Sequence, residues 1–168
     1  MKTILYNAVS IDGFIAGKDD DTDWVSEQDW EFFEKLAQEK GVLIYGARTY
    51  FDIGLVDGTL PIPDVLNVVM TSRNGQPHKD VEFFNGSPQD CLKILEEQGF
   101  DEVVLAGGGE LNASFYAEGV IDEAILSVHP IYLGEGVRLF GDLRQPVKFD
   151  LRKTEEIPNV LVRQYYKL

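Results

Sequence analysis

The stretch "VVLAGGGELNASFY", Val103–Tyr116, decides the reading of the fold. A continuous apolar run with strand character meets Gly107, Gly108 and Gly109, and a helical pattern then runs to a stop at Gly119. Glycine lets a backbone come close to a ligand, and the free N–H groups in the first turn of a helix attract phosphate. A strand-to-helix turn with no ligand has the same pattern, so both readings stand. The stretch departs from the dinucleotide fingerprint, because Asn112 occupies the place of a third glycine. No G-K-S/T follows, so it is not a P-loop either.

Upstream, strands and helices alternate. Lys2–Val9 and Val42–Gly46 read as strands, Asp64–Ser72 as another after a proline-containing loop, and "VEFFN" as a short one. Ser26–Gly41 reads as a helix, with Ser26 as N-cap, Glu27 and Asp29 in the first turn and Gly41 as the stop. Trp30, Phe33, Leu36 and Ala37 recur on it at helical spacing. "ARTYFDIG" reads as a short helix, and Ser87–Gly99 as a helix capped by Ser87 with Pro88 in first position.

Downstream the pattern changes. "IDEAILSVHPIYL", "KFDLRKTEEI" and "VLVRQYYKL" read as strands, with Pro158 and Asn159 as the turn between the last two. The expected fold is α/β: a central mixed sheet flanked by helices, parallel first and antiparallel at its C-terminal end. Its length of 168 residues and 44% hydrophobic content suit a single domain spanning residues 1–168.

A net charge of −14 argues against a nucleic-acid-binding surface, which needs a basic stripe. With only Cys91, His78 and His129 as soft ligands, no metal site is expected. No apolar run reaches the roughly 20 residues of a membrane helix, and the N-terminus reads as a first strand and not as a signal peptide. A cytoplasmic location is therefore expected.

Candidate site residues gather at strand ends. "YGARTY" places Gly46, Arg48 and Thr49 after one strand, and "MTSR" places Thr71, Ser72 and Arg73 after another. Parallel strands share a C-terminal edge, which is where open α/β sheets bind ligands. With the glycine loop, these ends would offer backbone N–H groups, hydroxyls and two arginines to one crevice, a local cationic site in an acidic protein. Singly, Arg48 also reads as a solvated helix residue and Arg73 as a turn residue. The first strand runs into "AVSIDGFIAG", where Ser10, Asp12 and Gly13 interrupt the apolar pattern. An Asp-Gly turn explains them, and so does a loop bordering the crevice.

In order along nearly the whole chain, "AVSIDGFIA", "WEFF", "VLIYGARTY", "VVMTSR", "VVLAGGGELNASF" and "HPIYLGEGVRLF" resemble the dihydrofolate reductase superfamily. "SIDGFIA" and "PIYLGEGVRLF" resemble its riboflavin-biosynthesis reductase branch, the C-terminal domain of the bifunctional deaminase–reductase. The resemblance implies a three-layer α-β-α fold and an NADPH-dependent reductase. It implies that Arg48 faces the adenosine 2′-phosphate, Thr49 the pyrophosphate, and Thr71, Ser72 and Arg73 the adenosine phosphate. Ala106, Gly107, Gly108, Gly109 and Glu110 match the loop at the pyrophosphate and nicotinamide end, where the family has a cis peptide, here Gly107–Gly108.

On the substrate side the resemblance offers two acids. Asp29 lies near the place of the single active-site acid of dihydrofolate reductases, although the loop before it, Trp24-Val25-Ser26, departs from their substrate loop. A solvated first-turn acid is its other reading. Asp12, with Ser10 and Gly13, lies in the segment that borders nicotinamide and substrate in the riboflavin-type branch. Glu135, between Gly134 and Gly136, lies in a loop that borders the substrate there or that joins strands as a bulge and turn. His129 reads as a structural strand residue.

The implied reaction is hydride transfer from NADPH to a small heterocyclic substrate, most like 5-amino-6-(5-phosphoribosylamino)uracil. Dihydrofolate reduction and a non-catalytic nucleotide-binding module are the alternatives. The C-terminal strands need their outer edge covered, and a homodimer is one way.

Overall fold

The computed structural model describes residues 1–76 and 78–168. Strand β1 (Lys2–Ser10) is the centre of the fold. Its neighbours are both parallel to it: β6 (Glu102–Leu105), with Leu5 beside Leu105, and β7 (Glu123–His129), with Ser10 beside His129. Parallel pairing on both edges requires helical crossovers that cover both faces, and β1 is accordingly buried along most of its length.

The remaining strands are β2 (Phe14–Ala16), β3 (Val42–Gly46), β4 (Leu66–Met70), β5 (Val81–Phe84), β8 (Val137–Arg138), β9 (Asp150–Ile157) and β10 (Leu161–Lys167). The main sheet has eight strands in the order β5-β4-β3-β6-β1-β7-β10-β9. Every neighbouring pair from β5 to β7 is parallel, while β10 runs antiparallel to both β7 and β9. This is the mixed sheet expected from the switch in sequence pattern after Gly119.

Side-chain alternation divides the core into two layers. Ile4, Leu43, Tyr45 and Val104 face helix α1 (Glu27–Lys40), which contributes Phe33, Leu36 and Ala37. Leu5, Val42, Ile44, Val103 and Leu105 face the other way, towards α3 (Pro88–Glu97) and α4 (Gly109–Ala117). The helix ends follow their capping residues. Ser26 accepts the Asp29 amide and Gly41 closes α1 in the left-handed conformation at φ 76°, while Ser87 accepts the Asp90 amide at the start of α3.

Three local features differ from the sequence pattern. "ARTYFDIG" is a π-helical segment, Thr49–Gly54, that continues into α2 (Leu55–Asp57). Gly54 is needed there, because a Cβ would stand 2.5 Å from Leu60 Cδ1. Second, β2 and β8 pair as a separate two-stranded ribbon, which no run of alternating residues announces. They are short, and their approach depends on Gly136, where a Cβ would lie 2.1 Å from the Ala16 carbonyl oxygen. β4 also begins later than expected. Asp64 takes a left-handed turn at φ 59°, and the buried Asn67 side chain binds the Ile62 amide and the Ile62 and Val65 carbonyls to fix that loop.

Candidate active site

The parallel strands β3, β4 and β6 deliver their C-terminal ends to one edge of the sheet, where they border a cavity of about 1340 Å³. Single small-molecule sites occupy about 300–1,000 Å³, so this cavity is larger than one such site. Gly46, Gly108 and Gly109 expose backbone along it. Gly46 donates its N–H to the Gly107 carbonyl at 2.8 Å, which joins the end of β3 to the glycine loop. The Gly107–Gly108 peptide is cis, and Gly107 sits at φ 90°.

Helix α4 starts at Gly109 without a side-chain cap. Gly109, Glu110 and Leu111 all border the cavity, so the positive end of the α4 dipole faces open space that suits an anion. Gly109 is also sterically fixed: a Cβ there would stand 2.2 Å from the Arg138 carbonyl oxygen. Asn112, at the position of the missing third glycine, is fully buried and donates to the Asn7 side chain at 2.9 Å and to the Leu139 carbonyl at 2.8 Å. It therefore ties α4 to β1 and to the loop after β8.

The cavity gathers Gly46, Arg48, Thr49 and Arg73 with Ala106, Gly108, Gly109 and Glu110. Gly107 lies within the loop but not on the cavity wall, and Thr71 and Ser72 line a smaller adjoining hollow that shares Met70, Leu111 and Ser114 with it. Arg138 and Arg144 border the cavity as well. The four arginines differ in state. Arg48 is held by Asp20 and Arg73 lies 3.8 Å from Asp52, whereas Arg138 and Arg144 pair with no acid among the described residues.

At the other end of the cavity the wall is apolar and aromatic, with Tyr6, Val25, Trp30 and Phe33, and Asp29 stands among them. Asp29 is 1% exposed, which removes the reading of a solvated first-turn acid. Its Oδ1 accepts Arg163 Nη2 at 3.0 Å. Arg163, on β10, also donates Nε to the Ser127 hydroxyl at 3.1 Å and stacks 3.6 Å from the Phe32 ring centroid. Oδ2 of Asp29 has no hydrogen-bond partner among the described residues.

His129 stands beside this pair, with Nε2 3.9 Å from Asp29 Oδ2. The Ser26 amide points at Nε2 at 3.2 Å, and Nδ1 lies 3.0 Å from the Ser127 carbonyl. An amide can only donate, so Nε2 accepts and Nδ1–H donates; the ring has no proton to offer Oδ2. Burial, reinforced by the Asp29 carboxylate, pushes the Tyr6 phenol well above its ordinary value. Tyr6 is therefore a neutral hydroxyl, 3.4 Å from the Asp29 carbonyl oxygen that it faces as donor.

Ser10, Asp12 and Gly13 are placed differently from the expectation that they border the crevice. They are not on the cavity wall, and Ile15 and Ala16 supply that stretch of it instead. The Asp12 carboxylate accepts the Ser10 hydroxyl at 2.7 Å and the Leu133 and Gly134 amides at 3.1 and 2.8 Å. Partial desolvation would raise its pKa, but these three donors outweigh that and hold it below the ordinary 3.8. Asp12 thereby fastens the loop after β1 to the loop after β7. Glu135 is exposed, 3.5 Å from Lys18 Nζ, and is likewise absent from the wall.

The model of the RibD C-terminal domain family matches residues 1–163. The chain belongs to the RibD C-terminal domain family. Two curated proteins of Bacillus subtilis (strain 168) resemble this RibD C-terminal domain protein over nearly their full length, and both are uncharacterized. YwjB is 31% identical, covering 99% of this chain and 98% of its own, and YyaP is 28% identical, covering 98% and 94%. Among solved structures, a putative riboflavin biosynthesis protein from Shewanella sp. PV-4 superposes with a TM-score of 0.84 at 28% identity, over 99% of this chain and 98% of that one. The Thermotoga maritima diaminohydroxyphosphoribosylaminopyrimidine deaminase/5-amino-6-(5-phosphoribosylamino)uracil reductase shares the fold, with a TM-score of 0.76 at 18% identity, over 99% of this chain and 56% of that one.

Within this RibD C-terminal domain fold, the sequence pattern gives no site role to Arg163, Arg138 or Arg144, and marks Asn112 only as a departure from the dinucleotide fingerprint. The one signal for Arg163 is an arginine between the apolar run Val160–Val162 and the tyrosines Tyr165 and Tyr166 of the terminal strand, "VLVRQYYKL". A buried strand charge calls for a partner. Among the described residues no cluster of His, Cys, Asp or Glu could hold a metal ion, and no helix is long and apolar enough to cross a membrane.

Proposed function

We propose that this protein is an NADPH-dependent reductase that transfers hydride to a small heterocyclic substrate. The substrate reading follows 5-amino-6-(5-phosphoribosylamino)uracil, whose open-chain ribose would be reduced to ribitol. The observation that carries the reading is one cavity with two unlike ends: an uncapped helix start with arginines at one, and a buried carboxylate among aromatic rings at the other.

The residues present fit a phosphorylated dinucleotide. The α4 amides at Gly109 and Glu110 would face the pyrophosphate with Thr49, and Arg48 and Arg73 would take the adenosine phosphate, because a guanidinium fork makes parallel hydrogen bonds to phosphate. When bound, the cofactor supplies the hydride. The chain's own part is positioning: Gly46, Gly108 and Gly109 bring backbone to the cavity wall, and Tyr6, Trp30 and Phe33 exclude water from the reacting end. Arg138 and Arg144, which have no acid partner among the described residues, would suit a phosphate on the substrate. Asp12 would act by holding the two loops behind the reacting end together.

Dihydrofolate reduction is the second reading, and a specific observation favours it: Asp29 is buried on the cavity wall with Oδ2 unpartnered among the described residues. A carboxylate so placed can receive an N–H edge of a heterocyclic ring. Both readings use the same test, NADPH consumption followed by absorbance with the pyrimidine ribotide and with dihydrofolate. Oxidation with the pyrimidine supports the first, and oxidation with dihydrofolate alone the second. NADPH binding without turnover on either leaves a nucleotide-binding module.

A further inference from the structure

Asp20 lies in the loop between β2 and α1, and both it and Arg48 border the cavity. A single carboxylate oxygen of Asp20 receives Arg48 Nε at 2.8 Å and Nη2 at 2.6 Å. The Nε–Nη2 edge of a guanidinium is one of the edges that a phosphate uses for parallel hydrogen bonds. The Arg48 side chain is 67% exposed and that of Asp20 17%, so the acid is the better fixed partner. Its loop is built to hold it. Asp19 and Asp20 both take left-handed conformations, at φ 58° and 65°, and the Gly17 amide closes the turn on the Asp21 carbonyl at 2.8 Å.

We propose that Asp20 is a specificity-determining residue, a resident counter-ion that a cofactor phosphate must displace from Arg48. The proposal rests on the reading of Arg48 as the 2′-phosphate contact. A phosphate arriving at Arg48 meets both an occupied edge and a like charge a few ångströms away, and like charges at that range oppose binding. NADH brings no 2′-phosphate and meets neither. Asp20 thus lowers the affinity for NADPH while leaving that for NADH alone, and narrows the preference between them.

The test is fluorescence titration of NADPH and NADH against the wild-type protein, D20N, R48A and the double variant. Asparagine tolerates the left-handed conformation at residue 20 better than other side chains, and D20G provides a second variant compatible with that backbone. The proposal expects D20N and D20G to tighten NADPH about five- to tenfold, the scale of removing an exposed ion pair together with a like-charge repulsion. NADH should not change, and the gain should vanish in the R48A background. If D20N weakens NADPH or leaves it unchanged while R48A weakens NADPH selectively, Asp20 is not a competitor and the reading of Arg48 stands. Equal gains for both cofactors would also overturn the proposal, by making Asp20 a loop residue only. If R48A affects both cofactors equally, the reading of Arg48 fails and the proposal with it.

Discussion

The two ends of the cavity are built by opposite means. The phosphate end is backbone and exposed side chain: Gly46, the Gly107–Gly109 loop and the α4 amides, with Arg48 two-thirds exposed. The acid end is buried side chain: Asp29 at 1% exposure, locked to Arg163 from a strand 134 residues away. A charge that stays near water can exchange its partner cheaply. A buried one cannot, because removing one partner strands the other. The first end is suited to a ligand that comes and goes, the second to holding one geometry.

The comparison is most directly broken at the buried pair. Arg163→Ala should cost about 3–5 kcal/mol of stability, the usual penalty for stranding a buried charge, read as a lowered denaturation midpoint. The double replacement Asp29→Leu with Arg163→Met should recover much of that loss, since an apolar pair of similar volume is often neutral. Where Asp29 receives the substrate ring, as in the dihydrofolate reading, the double variant should still lack turnover. A double variant as unstable as the single one would show that the pair is more than mutual compensation.

Gly109→Ala comes next. Its Cβ would meet the Arg138 carbonyl oxygen at 2.2 Å, so backbone must move, at about 1–3 kcal/mol. Because Gly109 joins α4 to the loop after β8, NADPH affinity should fall along with stability. Arg48→Ala should weaken NADPH by roughly ten- to a hundredfold, as loss of a charged hydrogen bond of about 1.5–3 kcal/mol implies, and should leave stability and NADH nearly unaltered. Equal losses for both cofactors would count against Arg48 as the phosphate contact.

The smallest effect belongs to Asp12. Its carboxyl is held below 3.8 in the folded protein, so its stabilising contribution is fully present above that pH and is lost as pH falls through the folded value. Asp12→Asn should therefore be less stable than wild type at neutral pH and converge with it in acid. A gap that persists at low pH would contradict the role given to the carboxylate.

The same contrast explains what could be read in the sequence. The strand ends are local: "VLIYG", "VVMTSR" and "VVLAGGGELN" each hold an element and its turn within a few residues, and periodicity with glycine punctuation exposes them. The helix caps Ser26, Gly41 and Ser87 are legible for the same reason. The Asp29–Arg163 pair depends on a crossing between α1 and β10, which no local pattern encodes. The β2–β8 ribbon was hidden by its shortness and by its dependence on Gly136. "IDG" in Ile11–Gly13 had the composition of both a turn and a site, and only the partners of Asp12 separate placement at the loop junction from placement on the wall.

The central claim is that phosphate end and acid end do separate work in one cavity. It is tested most directly by measuring the NADPH Kd and the kcat at saturating NADPH side by side for Arg48→Ala and Asp29→Asn. The account predicts a crossed result: Arg48→Ala raises Kd with kcat near wild type, and Asp29→Asn keeps Kd but loses turnover. Full turnover by Asp29→Asn, or loss of NADPH binding in that variant, would contradict it.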